Sequence, residues 1–128
     1  HVKIGDYTSG TDIGLFLLSV TGAVDAGLFP RAEALALLQR SFDSLRRLES
    51  HAGFFFNYYD TTSLERTSHF VSFVDSAWLT AGLIVVRQAF PELWGDATQI
   101  IDRQDYGLFY DADADLMVHG FDLADGAV

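Results

Sequence analysis

The chain has 128 residues, with 8 Lys+Arg against 18 Asp+Glu and a formal net charge of −10. That negative surplus repels nucleic-acid phosphates and anionic lipid alike, so neither nucleic acid nor membrane is expected as a partner. The absence of Cys rules out a disulfide framework, a thiolate nucleophile and a zinc–thiolate site, while 49% apolar and 14% aromatic residues are core-forming material.

The length predicts one domain. The longest uncharged runs, 13–24 and 76–86, have 12 and 11 residues, short of the roughly 18 a membrane span needs. The chain opens on His1 with no leader-like stretch, which suggests a processed protein or a piece of something longer. In chain order, Thr8-Ser9-Gly10-Thr11-Asp12 is a polar turn rich in helix-capping residues. Ile13, Phe16, Leu17, Val20 and Val24 then recur at helical spacing. The spacing predicts a helix over 12–26, ended by Gly27. Pro30 sits where a first helical residue belongs. Leu35, Leu38, Phe42, Leu45 and Leu48 follow in steps of three and four, which predicts an amphipathic helix forming a helical hairpin with the first. Gly53 breaks the pattern, and 54–60 reads as a long, extended aromatic loop closed by a Thr61-Thr62-Ser63 turn. Ser72-x-x-Asp75 resembles a capping box and predicts a third helix over 73–90, apolar nearly all round and therefore interior, ended by Pro91. A shorter helix over 93–103 follows, then a loose β-hairpin over 106–123 around the acidic 111–115 run. The fold class is all-α with that one short hairpin.

Two stretches carry chemistry. In Phe54-Phe55-Phe56-Asn57-Tyr58-Tyr59-Asp60, aromatic rings stand beside amide and carboxylate groups. Sugar binding needs that combination, because pyranose C–H faces pack on rings and hydroxyls bond polar side chains. The competing reading has alternate rings plugging the core and Asp60 capping the next turn. In the second stretch, Asp75 lies in the first turn of a helix close to Trp78. It is either a base or hydroxyl-binding group or simply a charge matching the helix dipole. Asp60 and Asp75 make a carboxylate pair of the kind glycoside chemistry uses. The 111–115 run imitates the start of a calcium loop, but its sixth position is Leu116 and its twelfth Asp122, so a solvated acidic turn is the better reading. The four His are scattered without ligand spacing, and no metal or cofactor is expected.

Four ordered motifs resemble one family. Thr8-Ser9-Gly10-Thr11-Asp12-Ile13-Gly14-Leu15-Phe16-Leu17-Leu18-Ser19 resembles T-S-P-T-[ND]-I-G-L-Y-L-L-S; Phe56-Asn57-Tyr58-Tyr59-Asp60-Thr61 resembles Y-N-W-Y-D-T. Val71-Ser72-Phe73-Val74-Asp75-Ser76-Ala77-Trp78-Leu79 resembles V-S-T-V-D-[NS]-G-[WN]-L; Leu108-Phe109-Tyr110-Asp111 with Leu116-Met117-Val118-His119-Gly120-Phe121 resembles F-F-Y-D…L-M-x-G-G-Y. Together they are similar to the glucoamylase-like family, which includes bacterial endo-β-1,2-glucanases and a domain of cyclic β-1,2-glucan synthases.

The resemblance implies an (α/α)6 toroid around a glucan-binding cleft. Twelve helices with their loops need roughly 190 residues, so the chain is expected to be the N-terminal part of such a ring. The rest of the ring, or another copy of the chain, would then be its partner. The implied function is a glycoside hydrolase-type protein acting on β-glucan, with β-1,2 the linkage of those relatives. The alternative is a non-catalytic glucan-binding or structural half-domain. Asp60 and Asp75 are the expected catalytic residues, and Asn57, Tyr58, Tyr59 and Trp78 the expected glucan-binding residues. A bacterial periplasmic or extracellular location is implied, with the cytoplasm as alternative. Gly10, Tyr58, Phe73, Ala77 and His119 depart from the family strings, and Phe73 and Ala77 are expected to narrow the cleft beside Asp75.

Overall fold

The computed structural model describes residues 5–124. Among these residues there are four α-helices, α1 (Gly10–Asp25), α2 (Arg31–Arg47), α3 (Phe73–Ala89) and α4 (Trp94–Ile101), with 3-10 turns at Pro91–Leu93 and Tyr106–Phe109. α1 begins two residues earlier than its apolar spacing predicts, because a complete capping box sets the boundary. The Asp12 amide donates to Ser9 Oγ at 3.2 Å and the Ser9 amide returns a bond to Asp12 Oδ2 at 3.2 Å. It ends where expected, at Gly27 in the left-handed region with φ 73°. Pro30 precedes α2 as an extended cap residue instead of occupying its first helical position. The predicted stripe of α2 is the buried one, with Ala34, Leu38, Phe42 and Leu45 inside. α3 and α4 fall within two residues of their predicted ends, the start of α4 being taken up by the 3-10 turn at Pro91.

The closest packing is between α1 and α3. A Cβ added at Gly10 would lie 2.8 Å from the Asp75 carbonyl oxygen, and one at Gly14 2.3 Å from that of Trp78. One at Gly82 would lie 2.7 Å from the Gly14 oxygen. Contacts advance along both helices together, so α1 and α3 run parallel with their backbones touching. The expected α1–α2 hairpin therefore exists beside a tighter pairing that apolar periodicity does not register. Leu17, Leu38, Phe42, Phe54, Tyr59, Val71, Leu79, Leu83, Phe90 and Phe109 form one continuous core. α3 is only half enclosed by it. Val74 (55% exposed), Ile84 and Val85 of α3, with Leu15 and Phe16 of α1, stay open.

The all-α expectation needs correction in the loops, where among the described residues eight short strands form four antiparallel pairs. β1 (Tyr7–Ser9) pairs with β4 (Tyr58–Asp60), setting Tyr7 opposite Asp60 and Ser9 opposite Tyr58. β2 (Ser50–His51) pairs with β3 (Phe54–Phe55) through a tight turn with Ala52 at φ 51° and Gly53 at φ 83°. β5 (Phe70–Ser72) pairs with β8 (Gly120–Asp122), and β6 (Tyr110–Asp111) with β7 (Leu116–Met117). The β6–β7 pair is the predicted hairpin, made shorter because β8 leaves to join β5. The other three pairs are two or three residues long and mostly join segments far apart in sequence, so no period-2 run announces them. Within the hairpin, Asp111 Oδ1 accepts from the amides of Asp113 and Ala114 at 3.0 and 3.1 Å, making the acidic run a self-capped turn. β1 leads straight into α1 and β5 into α3. The two ladders thus stand at the N-terminal end of the parallel pair, joined there by the Asn57 amide donating to the Phe70 carbonyl at 2.8 Å. Among the described residues no helix is long and apolar enough to cross a membrane.

Candidate functional site

The N-terminal ends of α1 and α3 bring together several of the residues singled out by sequence. Asp75 sits in the first turn of α3, where its amide donates to Ser72 Oγ at 3.2 Å. Its carboxylate does not turn back to complete that cap. Oδ1 instead accepts from the Thr11 hydroxyl of α1 at 2.6 Å, across 64 residues of chain. Trp78 is 44% exposed and lies three residues further along α3, on a neighbouring position of the helix surface. Tyr58 is 41% exposed, opposite the α1 cap residue Ser9. The Tyr7 ring meets it edge-on at 5.7 Å.

Asp60 shares the Tyr58 face of β4 by strand alternation, but its Oδ1 is engaged. It accepts from the amides of Ser63 at 2.7 Å and Thr62 at 2.8 Å, which is the turn-capping role. Those donors hold its carboxyl below the usual carboxylate range. At neutral pH Asp60 is ionised, so it can accept a proton or a hydroxyl bond but has no proton to give. Asn57 is half-buried, and its Oδ1 is enclosed without a hydrogen-bond donor among the described residues.

Two expectations change. Tyr59 is fully buried and is no stacking surface for a sugar. Its hydroxyl accepts from the Phe56 amide at 2.7 Å and donates to the Glu49 carbonyl at 2.5 Å, and burial pushes its pKa up. With Phe54 and Phe56 also buried, rings of this stretch plug the core; the bend at Asn57 between β3 and β4 breaks the alternation, so Tyr59 and not Tyr58 turns inward. Phe73 does not narrow a cleft beside Asp75. Its ring packs into the aromatic cluster, 5.3 Å from Phe109 and 6.0 Å from Tyr106. A separate hollow of about 350 Å³ lies between α1 and α2, lined by Ile13, Phe16, Leu45 and Leu64 among others, and none of the expected site residues lines it.

No protein-family model matches the chain. Its sequence is 35% identical over 95 residues, or 73% of the chain, to the cyclic β-(1,2)-glucan synthase NdvB of Rhizobium meliloti strain 1021. The chain spans 3% of that relative's length. Its fold matches the crystal structure of a "putative glucoamylase" from Bacteroides fragilis with a TM-score of 0.75. That match runs at 16% identity over 85% of this chain and 29% of the other. Together these support the glucoamylase-like family.

At this site, sequence reasoning missed Thr11 and Tyr7. Thr11 lay inside a motif but was counted as a capping residue. Its partner Asp75 is set by the α1–α3 approach, whose one visible signal was glycine at 10, 14 and 82. Tyr7 lay outside every motif and joins the aromatic surface through strand pairing alone.

Proposed function

We propose that the chain forms part of the wall of a glucan-binding cleft in a glycoside hydrolase-type protein acting on β-glucan, with the β-1,2 linkage the first to test. The observation that carries this reading is the end of the α1–α3 pair. There one carboxylate, Asp75, is held by a hydroxyl from the neighbouring helix, with the exposed rings of Tyr58 and Trp78 at the same end. Rings offer faces to pyranose C–H groups, and the carboxylate offers an acceptor to sugar hydroxyls or to water. Asp75 would orient the hydroxyl or water. Asp60, kept ionised by its turn, would serve as an acceptor or base. Glycoside cleavage also needs an acid that protonates the leaving oxygen, and that group would come from beyond the described residues.

The parallel arrangement of α1 and α3, both apolar nearly all round, against the amphipathic α2 supports two inner helices and an outer one of an (α/α) ring. The open apolar face of Leu15, Val74 and Val85 would be covered by the remainder of the ring or by another copy of the chain. That face equally favours the second reading, a structural or glucan-binding half-domain without catalysis. A polymeric substrate fits a bacterial periplasmic or extracellular location.

The test uses the full-length gene product on linear β-1,2-glucan, with β-1,3- and β-1,4-glucans alongside, following reducing ends and binding separately. Release of reducing ends that falls in the Asp75→Asn variant supports the hydrolase. Saturable binding without products supports the binding module, and the absence of both binding and products overturns the glucan reading.

A further inference from the structure

α1 and α3 begin with the same device. Each follows a short strand through a serine cap, with an aspartate three residues later: Ser9-x-x-Asp12 before α1 and Ser72-x-x-Asp75 before α3. In α1 the device closes on itself, both partners donating one backbone amide to the other's side chain. In α3 only half of it forms. The Asp75 amide donates to Ser72 Oγ, but no bond returns from the Ser72 amide to Asp75. Ser72 lies instead in the β5–β8 ladder, opposite Gly120. Two equivalent carboxylates therefore have different tasks: Asp12 is consumed in capping, and Asp75 is released from it.

Thr11 is the group that takes Asp75 up. Its hydroxyl donates to Oδ1 at 2.6 Å, and Oδ2 has no partner among the described residues. The threonine side chain is short, so the bond requires the first turn of α1 to lie against the backbone of Asp75. Gly10 permits this, since a Cβ there would stand 2.8 Å from the Asp75 carbonyl oxygen and 3.2 Å from its carbon.

We propose that Thr11 is a positioning residue: by binding one oxygen of Asp75 it draws that carboxylate out of the α3 cap and aims the other oxygen at a sugar hydroxyl or a water. The proposal rests on the glucan-cleft reading. A hydrogen bond to an ionised carboxylate restrains both its direction and its rotation, so losing it costs orientation at the site.

The experiment is carried out on the full-length protein with linear β-1,2-glucan as substrate. Thr11→Val keeps the shape and removes the donor, whereas Thr11→Ser keeps the donor. Valine is expected to lower kcat/KM by about tenfold to a hundredfold, the range of one charge-assisted hydrogen bond, and serine to restore most of it. Affinity for β-1,2-gluco-oligosaccharides should fall with valine, and in an Asp75→Asn background valine should bring no further fall. Assays are run well below the melting temperature of each variant, so a merely structural role would lower that temperature and leave the kinetics untouched. Wild-type kinetics in Thr11→Val, or a valine effect on affinity that persists with Asp75→Asn, overturns the positioning role alone. A wild-type protein that neither binds nor cleaves the glucan overturns the cleft reading and this role with it.

Discussion

Gly14→Ala tests the parallel α1–α3 seam on which the site depends. The added methyl would stand 2.3 Å from the Trp78 carbonyl oxygen, 2.6 Å from its carbon and 2.9 Å from the Leu79 nitrogen. All three are backbone atoms of a helix, so no side chain can swing aside. Reaching the 3.4 Å of ordinary contact requires α3 to retreat by about 1.1 Å. Leu17, Leu79 and Leu83, all buried at or beside this seam, would lose close contact. Overpacking of this kind costs about 3 kcal/mol at the upper end of its range. Alanine returns about 1 kcal/mol of helix propensity over glycine. The net loss is about 2 kcal/mol, a fall of roughly 4–8 °C in melting temperature for a domain-sized unit. Gly22 is the control, because a Cβ there meets nothing within 4 Å, and Gly22→Ala should hold or raise the midpoint. Scanning calorimetry on both variants in the full-length protein decides the matter. If Gly14→Ala melts with or above Gly22→Ala, the backbone contact between the helices is wrong, and the Thr11–Asp75 pairing built on it goes too.

Tyr59→Phe removes a hydroxyl that serves the Phe56 amide and the Glu49 carbonyl. Orphaning those groups should cost about 1–3 kcal/mol, read as a lower urea midpoint, with glucan affinity unchanged because the ring never reaches solvent. Asp60 has a folded pKa below its unfolded value near 4. Its contribution to stability is therefore present above about pH 4 and is lost as pH falls through the lower folded value. Asp60→Asn, which keeps a turn-capping oxygen, should flatten the loss of urea midpoint between about pH 5 and pH 2 relative to the parent. An unchanged slope would mean that the Thr62 and Ser63 amides do not hold this carboxylate.

All four helices were legible in the sequence, because burial of one face forces a period of 3.6 residues, and capping residues and proline mark the ends. The serine caps at 9 and 72, the stop at Gly27 and the stripe of α2 are local effects that act within a turn or two of chain. The resemblance to the glucoamylase-like family was legible for a related reason: the motifs that carry it fall largely at helix starts and in loops.

Side-chain fate within the aromatic stretch was not legible. Whether Tyr58 or Tyr59 faces solvent depends on the register of β4 against β1, and a shift of one residue would exchange them. The direction of Phe73 was likewise settled by the 3-10 turn at Tyr106–Phe109, more than thirty residues away. Periodicity located each helix to within about two residues, since it depends on neighbours in sequence, and local caps set the final boundary of α1. Which carboxylate closes a cap and which bonds across to the neighbouring helix was decided by the approach of α1 to α3. That approach joins residues 64 positions apart and requires glycine's missing side chain, which leaves no mark in a hydrophobic pattern.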